Sequence, residues 1–289
     1  MSLMEKEMFY WSRYLPTILY SLAYMMLIAY SGIWIILKRE SLFGLVLTSF
    51  ARVAFVIGFG LNEILFEVQK TSNFAKLDIF FFPITLLFVF LTVMALRTLK
   101  EADKSAETFL AILLVTATAL IPLLHKVFHH TDVAASHTFF SDLLYTDPKL
   151  LQYYFWPSVL MAVGMLFFYR PFKLIIFDAD QAYLSGLATK QLEFLFYFFV
   201  GIVTAICVRI MGIYLAMAAM LIPAYFAITV SRTLKGVLIF CFLLVFISLL
   251  LGFSFAFYAD TLPTEPVLIL SFLFCGAVVY VVSLMKRVG

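Results

Sequence analysis

Apolar residues run along this chain in blocks of about twenty, set off by short polar breaks. Blocks lie near 15–37, 42–62, 77–98, 107–127, 152–169, 191–208, 211–230, 236–258 and 264–284. A helix rises about 1.5 Å per residue, so about 20 apolar residues cross the hydrocarbon layer. The stretch 191–230 is too long for one crossing. It is predicted to fold back near Arg209–Gly212, with one half short or re-entrant. The pattern therefore predicts an all-α, polytopic bundle of eight or nine membrane spans.

Composition turns that pattern into a class. Hydrophobic residues make up 64% of the 289 positions and charged residues 13%. A soluble domain is about half apolar and about a quarter charged. A chain this apolar needs lipid as the solvent for most of its surface. Residues 1–14 carry Glu5, Lys6, Glu7 and Arg13 rather than a basic leader, and the first apolar block reads as a retained span. No linker or repeat divides the sequence, so 1–289 reads as one transmembrane domain.

The net charge of +3 gives no sign of a nucleic-acid partner, but the placement of its positive residues sets an orientation. Lys38–Arg39, Arg97–Lys100–Lys104, Arg170–Lys173, Arg232–Lys235 and Lys286–Arg287 fall in alternate connections when nine spans are counted. These connections are assigned to the cytoplasm. The N-terminus, the 63–76 loop, the 125–137 stretch and the 259–265 turn are assigned outside.

Cys207, Cys241 and Cys275 each lie inside an apolar block and read as small buried hydrophobes. No G-x-x-x-x-G-K-[ST], H-E-x-x-H or G-x-S-x-G motif occurs, so the chain cannot bind ATP by a P-loop and shows no enzyme signature.

The third quarter is more specific. SDLLYTDPKLL (141–151) precedes the fifth block. FDADQAYLSGL (177–187) fills the longest cytoplasmic connection, followed by VRIMGIYLAMAAMLIPAYFA (208–227) and ADTLPTEPVLIL (259–270). In this order and spacing the chain resembles the permease subunits of the ABC-3 family, bacterial importers of zinc, manganese and iron. The matching positions are Ser141–Leu144; Phe177, Asp178, Ala182 and Gly186; Gly212 to Pro223; and Leu262–Pro266, which includes Glu265.

The resemblance implies a multi-pass protein of the bacterial cytoplasmic membrane. It implies a complex with a second permease copy, ATP-binding subunits that hold the ATP, and an extracytoplasmic solute-binding protein. No covalent cofactor is implied, and zinc or manganese would be cargo. Phe177–Leu187 would be the segment that couples to the ATPase. Asp178 sits where a helix dipole favours an acid, and Gly186 permits a tight exit. An ordinary cytoplasmic loop is the plainer reading. Gly212 and Pro223 are candidates for the pathway, and Pro223 also reads as a kink tolerated by packing.

One departure stands out. The family's metal site lies in its second span, in a motif close to G-D-x-x-x-H. Here Gly44 is followed by Leu45 and Ser49, so both ligands are missing. Arg52 shares their helix face. A divalent ion about 6 Å from one unit charge loses on the order of 5 kcal/mol at an effective dielectric near 20. Leu45, Ser49 and Arg52 are therefore candidates for a pathway that has lost its bare-cation site, with two alternatives: a heterodimer partner that supplies ligands, or an anionic or chelated cargo. A non-transporting membrane subunit remains a third reading, as does an Arg52 paired away from any path.

All four histidines lie within HKVFHHTDVAASH, residues 125–137. His125 and His129 are four apart, and His130, Asp132 and His137 follow closely. Imidazoles with a carboxylate suit Zn²⁺ or Mn²⁺. Two readings stand side by side: metal capture at the outer mouth, or a polar loop at the headgroup boundary.

Overall fold

The computed structural model describes residues 3–66, 81–101, 106–127, 143, 146, 148–259 and 263–288. Eleven helices occur among the described residues. They are α1 (Leu3–Leu37), α2 (Ser41–Phe66), α3 (Phe81–Glu101), α4 (Ala106–Val127), α5 (Pro148–Phe167), α6 (Tyr169–Phe177), α7 (Ala179–Leu184), α8 (Thr189–Met211), α9 (Ile213–Val230), α10 (Leu234–Ala259) and α11 (Thr264–Val288). Eight of them are long and apolar enough to cross a membrane, and α3 adds a shorter apolar stretch, Pro83–Ala95. The expected eight to nine spans are present as a helical bundle.

The bundle has an inner and an outer set. Helices α1, α2 and α8 bury most of their surface, whereas α4, α5 and α11 turn most of theirs outward. Helix α1 packs on α9 and α10, α2 on α3, α4 and α8, and α9 on α11. The outward residues are themselves apolar, among them Trp156, Leu160, Val163 and Phe167 of α5 and Leu270 and Phe274 of α11. Lipid tails are as apolar as leucine, so such helices gain little by burying leucine against one another. Close backbone approach and interhelical hydrogen bonds hold them instead. Gly32 of α1 faces the Met220 carbonyl of α9 so closely that a Cβ would overlap it. The Tyr24 hydroxyl of α1 donates to the Leu151 carbonyl of α5 at 2.5 Å. Cys207, Cys241 and Cys275 are free thiols buried in the bundle, as expected.

The long block 191–230 breaks at Gly212, as the sequence suggests. Gly212 has φ 79°, which lets the backbone leave α8 and enter α9 at once. Neither half is re-entrant in length. Helix α8 has 23 residues and α9 has 18, or about 27 Å. The expectation of a stunted half fails because the break is a single residue, leaving both halves nearly the full thickness.

The 177–187 connection is not a loop. Helix α5 ends at Phe167, and two short helices, α6 and α7, follow. Their local sequence dictates the bend. Asp178 adopts a non-helical φ of −154°, and its Oδ1 accepts from the Gln181 N–H at 2.9 Å, capping α7. Gly186, at φ 77°, ends the segment, in the left-handed region that favours glycine.

Candidate functional site

Helix α2 carries Leu45, Ser49 and Arg52 at helical spacing. Leu45 is half-buried, and Ser49 is buried with its Oγ donating to the Leu45 carbonyl at 3.0 Å. Thr48 Oγ1 bonds the same carbonyl at 2.8 Å. Gly44, on the same helix, faces the side chain of Met220 in α9. Arg52 is only 1% exposed. A guanidinium that deep in a lipid-embedded bundle is costly unless charge or dipoles compensate it.

Glu265, in the first turn of α11, is also 1% exposed and lies within electrostatic reach of Arg52, as does Tyr214. Its Oε1 accepts from the Leu215 N–H at 3.0 Å. That amide belongs to the first turn of α9, which Gly212 opens and whose start carries a partial positive charge. One carboxylate thus caps a helix start within electrostatic reach of a buried cation. Sequence reasoning places Arg52 and Glu265 separately on the pathway but does not foresee that they lie within electrostatic reach of each other. Arg209, in the last turn of α8, stacks its guanidinium over Phe55 of α2 at 4.8 Å. Pro223 is buried in α9 and removes one backbone donor there.

The second candidate region is the α6–α7 segment. Ala182 is fully buried and anchors α7. Tyr183 and Leu184 are 72% and 83% exposed, and Phe177 and Asp178 also face outward. Two large apolar side chains projecting from a six-residue helix form a small, well-positioned contact surface.

At the same end of the bundle lies a polar cluster that motif reading misses. Lys38 Nζ donates to Glu193 Oε1 at 2.5 Å and to the Tyr197 hydroxyl at 2.7 Å. The Tyr197 hydroxyl donates to Glu40 Oε2 at 2.5 Å. The available signal is weak: Glu193 and Tyr197 are four apart at the start of α8, and Lys38 and Glu40 flank the α1–α2 turn.

Among the histidines, His125 falls in the last turns of α4, with its side chain outside the described residues; His129, His130 and His137 lie outside them entirely. Asp142 and Leu144 do too, while Leu143 is buried. Among the described residues, no group of three or more His, Cys, Asp or Glu could hold a metal ion.

The chain belongs to the ABC 3 transport family, whose family model matches residues 12–287. It is 32% identical over 148 residues to a Chlamydia trachomatis protein named "Probable metal transport system membrane protein". That alignment covers 47% of this chain and 32% of the relative's own length. The fold is similar to that of PsaBC from Streptococcus pneumoniae in complex with Fab, with a TM-score of 0.75 and 17% identity over 92% of this chain and 90% of the other. It is also similar to an inward-facing ABC transporter described as of the metal-chelate type, with a TM-score of 0.67 and 20% identity over 92% of this chain and 86% of the other.

Proposed function

We propose that this chain is the membrane-spanning permease subunit of an ATP-binding-cassette importer in a bacterial cytoplasmic membrane. Its cargo is a divalent metal, zinc, manganese or iron. Its partners are a separate ATPase, a second permease copy and an extracytoplasmic solute-binding protein. The observation that carries this reading is the α6–α7 elbow. A rigid helix capped by Asp178 and ended by Gly186 offers Phe177, Tyr183 and Leu184 to a soluble groove. Asp178→Lys or Gly186→Val is expected to uncouple ATP hydrolysis from uptake while leaving membrane insertion intact. Cysteines placed along 178–186 are expected to react only with reagents on the cytoplasmic side. Labelling solely from outside sinks the coupling role.

The metal reading is supported by the names of the relatives, and the centre of the bundle modifies it. Among the described residues no group of three or more His, Cys, Asp or Glu gathers that could hold a bare cation, and this face carries a buried arginine. A second reading therefore has its own support: a partner permease supplies the ligands, or the cargo is an anionic metal chelate. Leu45→Asp, Ser49→His and Arg52→Ala together are expected to create free-metal binding in the purified complex. A triple variant that binds no more Zn²⁺ than its parent removes the 45–49–52 face from the pathway. Alanine at His125, His129, His130 and His137 is expected to weaken Zn²⁺ or Mn²⁺ binding at the outer mouth. Unchanged calorimetric binding leaves only a polar loop there.

A further inference from the structure

Four polar side chains tie together three elements that otherwise share mainly apolar contacts. Lys38 and Glu40 belong to the three-residue turn between α1 and α2, and Glu193 and Tyr197 to the first three turns of α8. The turn itself is stiff. Lys38, Arg39 and Glu40 donate their amides back to Trp34, Ile36 and Ile35 at 2.9–3.0 Å. Arg39 sits at φ 61°, a left-handed conformation that L side chains rarely adopt. From this turn Lys38 reaches across to α8. Besides its bonds to Glu193 and Tyr197, its Nζ lies over the Tyr197 ring at 4.1 Å and 3.9 Å from Glu40 Oε2. The Tyr197 hydroxyl bridges onward to Glu40, and the Tyr197 ring packs on Phe43 of α2 at 4.5 Å.

The same cluster touches the elbow. Lys38 and Glu193 line a narrow crevice with Phe172, Ile175 and Ile176 of α6 and Phe196 of α8. Phe172 packs edge-on against Phe196 at 5.4 Å, and Tyr169 of α6 against Trp34 of α1 at 5.5 Å. A continuous chain of contacts therefore runs from α6 through α8 and Lys38 to the start of α2. Apolar contacts between helices can slide, whereas charge-assisted hydrogen bonds fix both distance and direction. Arg52 lies farther along α2, about 18 Å from Glu40 by helical rise. A tilt of α2 imposed at its base thus displaces Arg52 relative to the groups within its electrostatic reach, Tyr214 and Glu265.

We propose that the Lys38–Glu40–Glu193–Tyr197 network is the joint that transmits movement of the α6–α7 elbow to α2, with Lys38 and Tyr197 as positioning residues of the transport cycle. The inference rests on the elbow being the ATPase dock.

The test uses the full complex with its ATPase in lipid vesicles and a single reporter, Ser49→Cys, labelled by a small thiol reagent. In the unmutated background the labelling rate is expected to differ between nucleotide-free and ATP-trapped complexes. Lys38→Met and Tyr197→Phe are expected to shrink that difference about fivefold, within the range by which single network residues change coupling, while ATP hydrolysis continues. Tyr197→Phe keeps the ring and guards against a variant that fails to fold. The paired change Lys38→Met with Glu193→Gln keeps the summed charge of Lys38, Glu40 and Glu193, leaving Glu40 bonded to the Tyr197 hydroxyl, and is expected to regain thermal stability but not the nucleotide response. Variants that respond to nucleotide like the parent overturn the joint alone. So does a double variant that recovers response together with stability, since the cluster is then only a staple. A parent complex that binds no ATPase, or whose labelling ignores nucleotide, overturns the docking reading and the joint with it.

Discussion

Lys38 and Arg52 are basic side chains only 14 positions apart, and the bundle treats them in opposite ways. Lys38 lies at the base of α2, 11% exposed, with Glu193 opposite it 36% exposed. Water reaches part of the cluster, and several short hydrogen bonds share the charge. Arg52 lies deep in α2, and its acidic neighbour Glu265 is equally buried. There the carboxylate is oriented by the start of α9 rather than by solvent. The contrast teaches where the fold tolerates change. At the edge, water can replace a lost partner; at the centre it cannot, so a buried charge there depends on the protein groups within its reach, Tyr214 and Glu265 for Arg52.

The strongest way to sharpen the contrast is to remove one central partner. Glu265→Gln is expected to destabilise the protein by about 3 kcal/mol, because it strands a buried guanidinium. Thermal unfolding in detergent measures this, and adding Arg52→Met to the same chain should restore most of the loss. If the single and double variants unfold alike, the two charges do not depend on each other. At the edge, Lys38→Met is expected to cost less, about 1.5 kcal/mol, since solvent can hydrate Glu193 and Glu40. Its effect should shrink as salt rises, whereas that of Glu265→Gln should not. Tyr197→Phe removes one hydroxyl and is expected to cost about 1 kcal/mol by the same unfolding measurement. The smallest effect is expected at the elbow. Asp178→Ala removes a single helix cap, worth about 1 kcal/mol to α7 alone. It should leave the global unfolding temperature unchanged while speeding amide exchange over 179–184.

Much of the architecture is legible one position at a time. The hydrocarbon thickness fixes span length, so apolar blocks map onto α1, α2, α4, α5 and α8 to α11 with small shifts at the ends. Local chemistry fixes the breaks. Gly212 and Gly186 sit where the backbone must take positive φ, and Asp178 stands where a helix start needs an acceptor. The elbow is only partly legible: Asp178 and Gly186 mark its ends, but α6 and α7 are too short to show a period that separates a helix from an ordinary loop. They gain order from Phe172 and Ala182, which pack against the bundle.

The sequence by itself determined a membrane bundle, its breaks and its family motifs, because these depend on neighbours in the chain and on the thickness of the solvent. Only the tertiary structure decided the pairings of charge. Glu265 caps an amide 50 positions away and lies within electrostatic reach of Arg52, and Lys38 meets Glu193 and Tyr197 across 155 and 159 positions. No local pattern encodes such pairs. They follow from which helix faces become adjacent once the bundle closes, and from the cost of leaving any of these charges alone inside it.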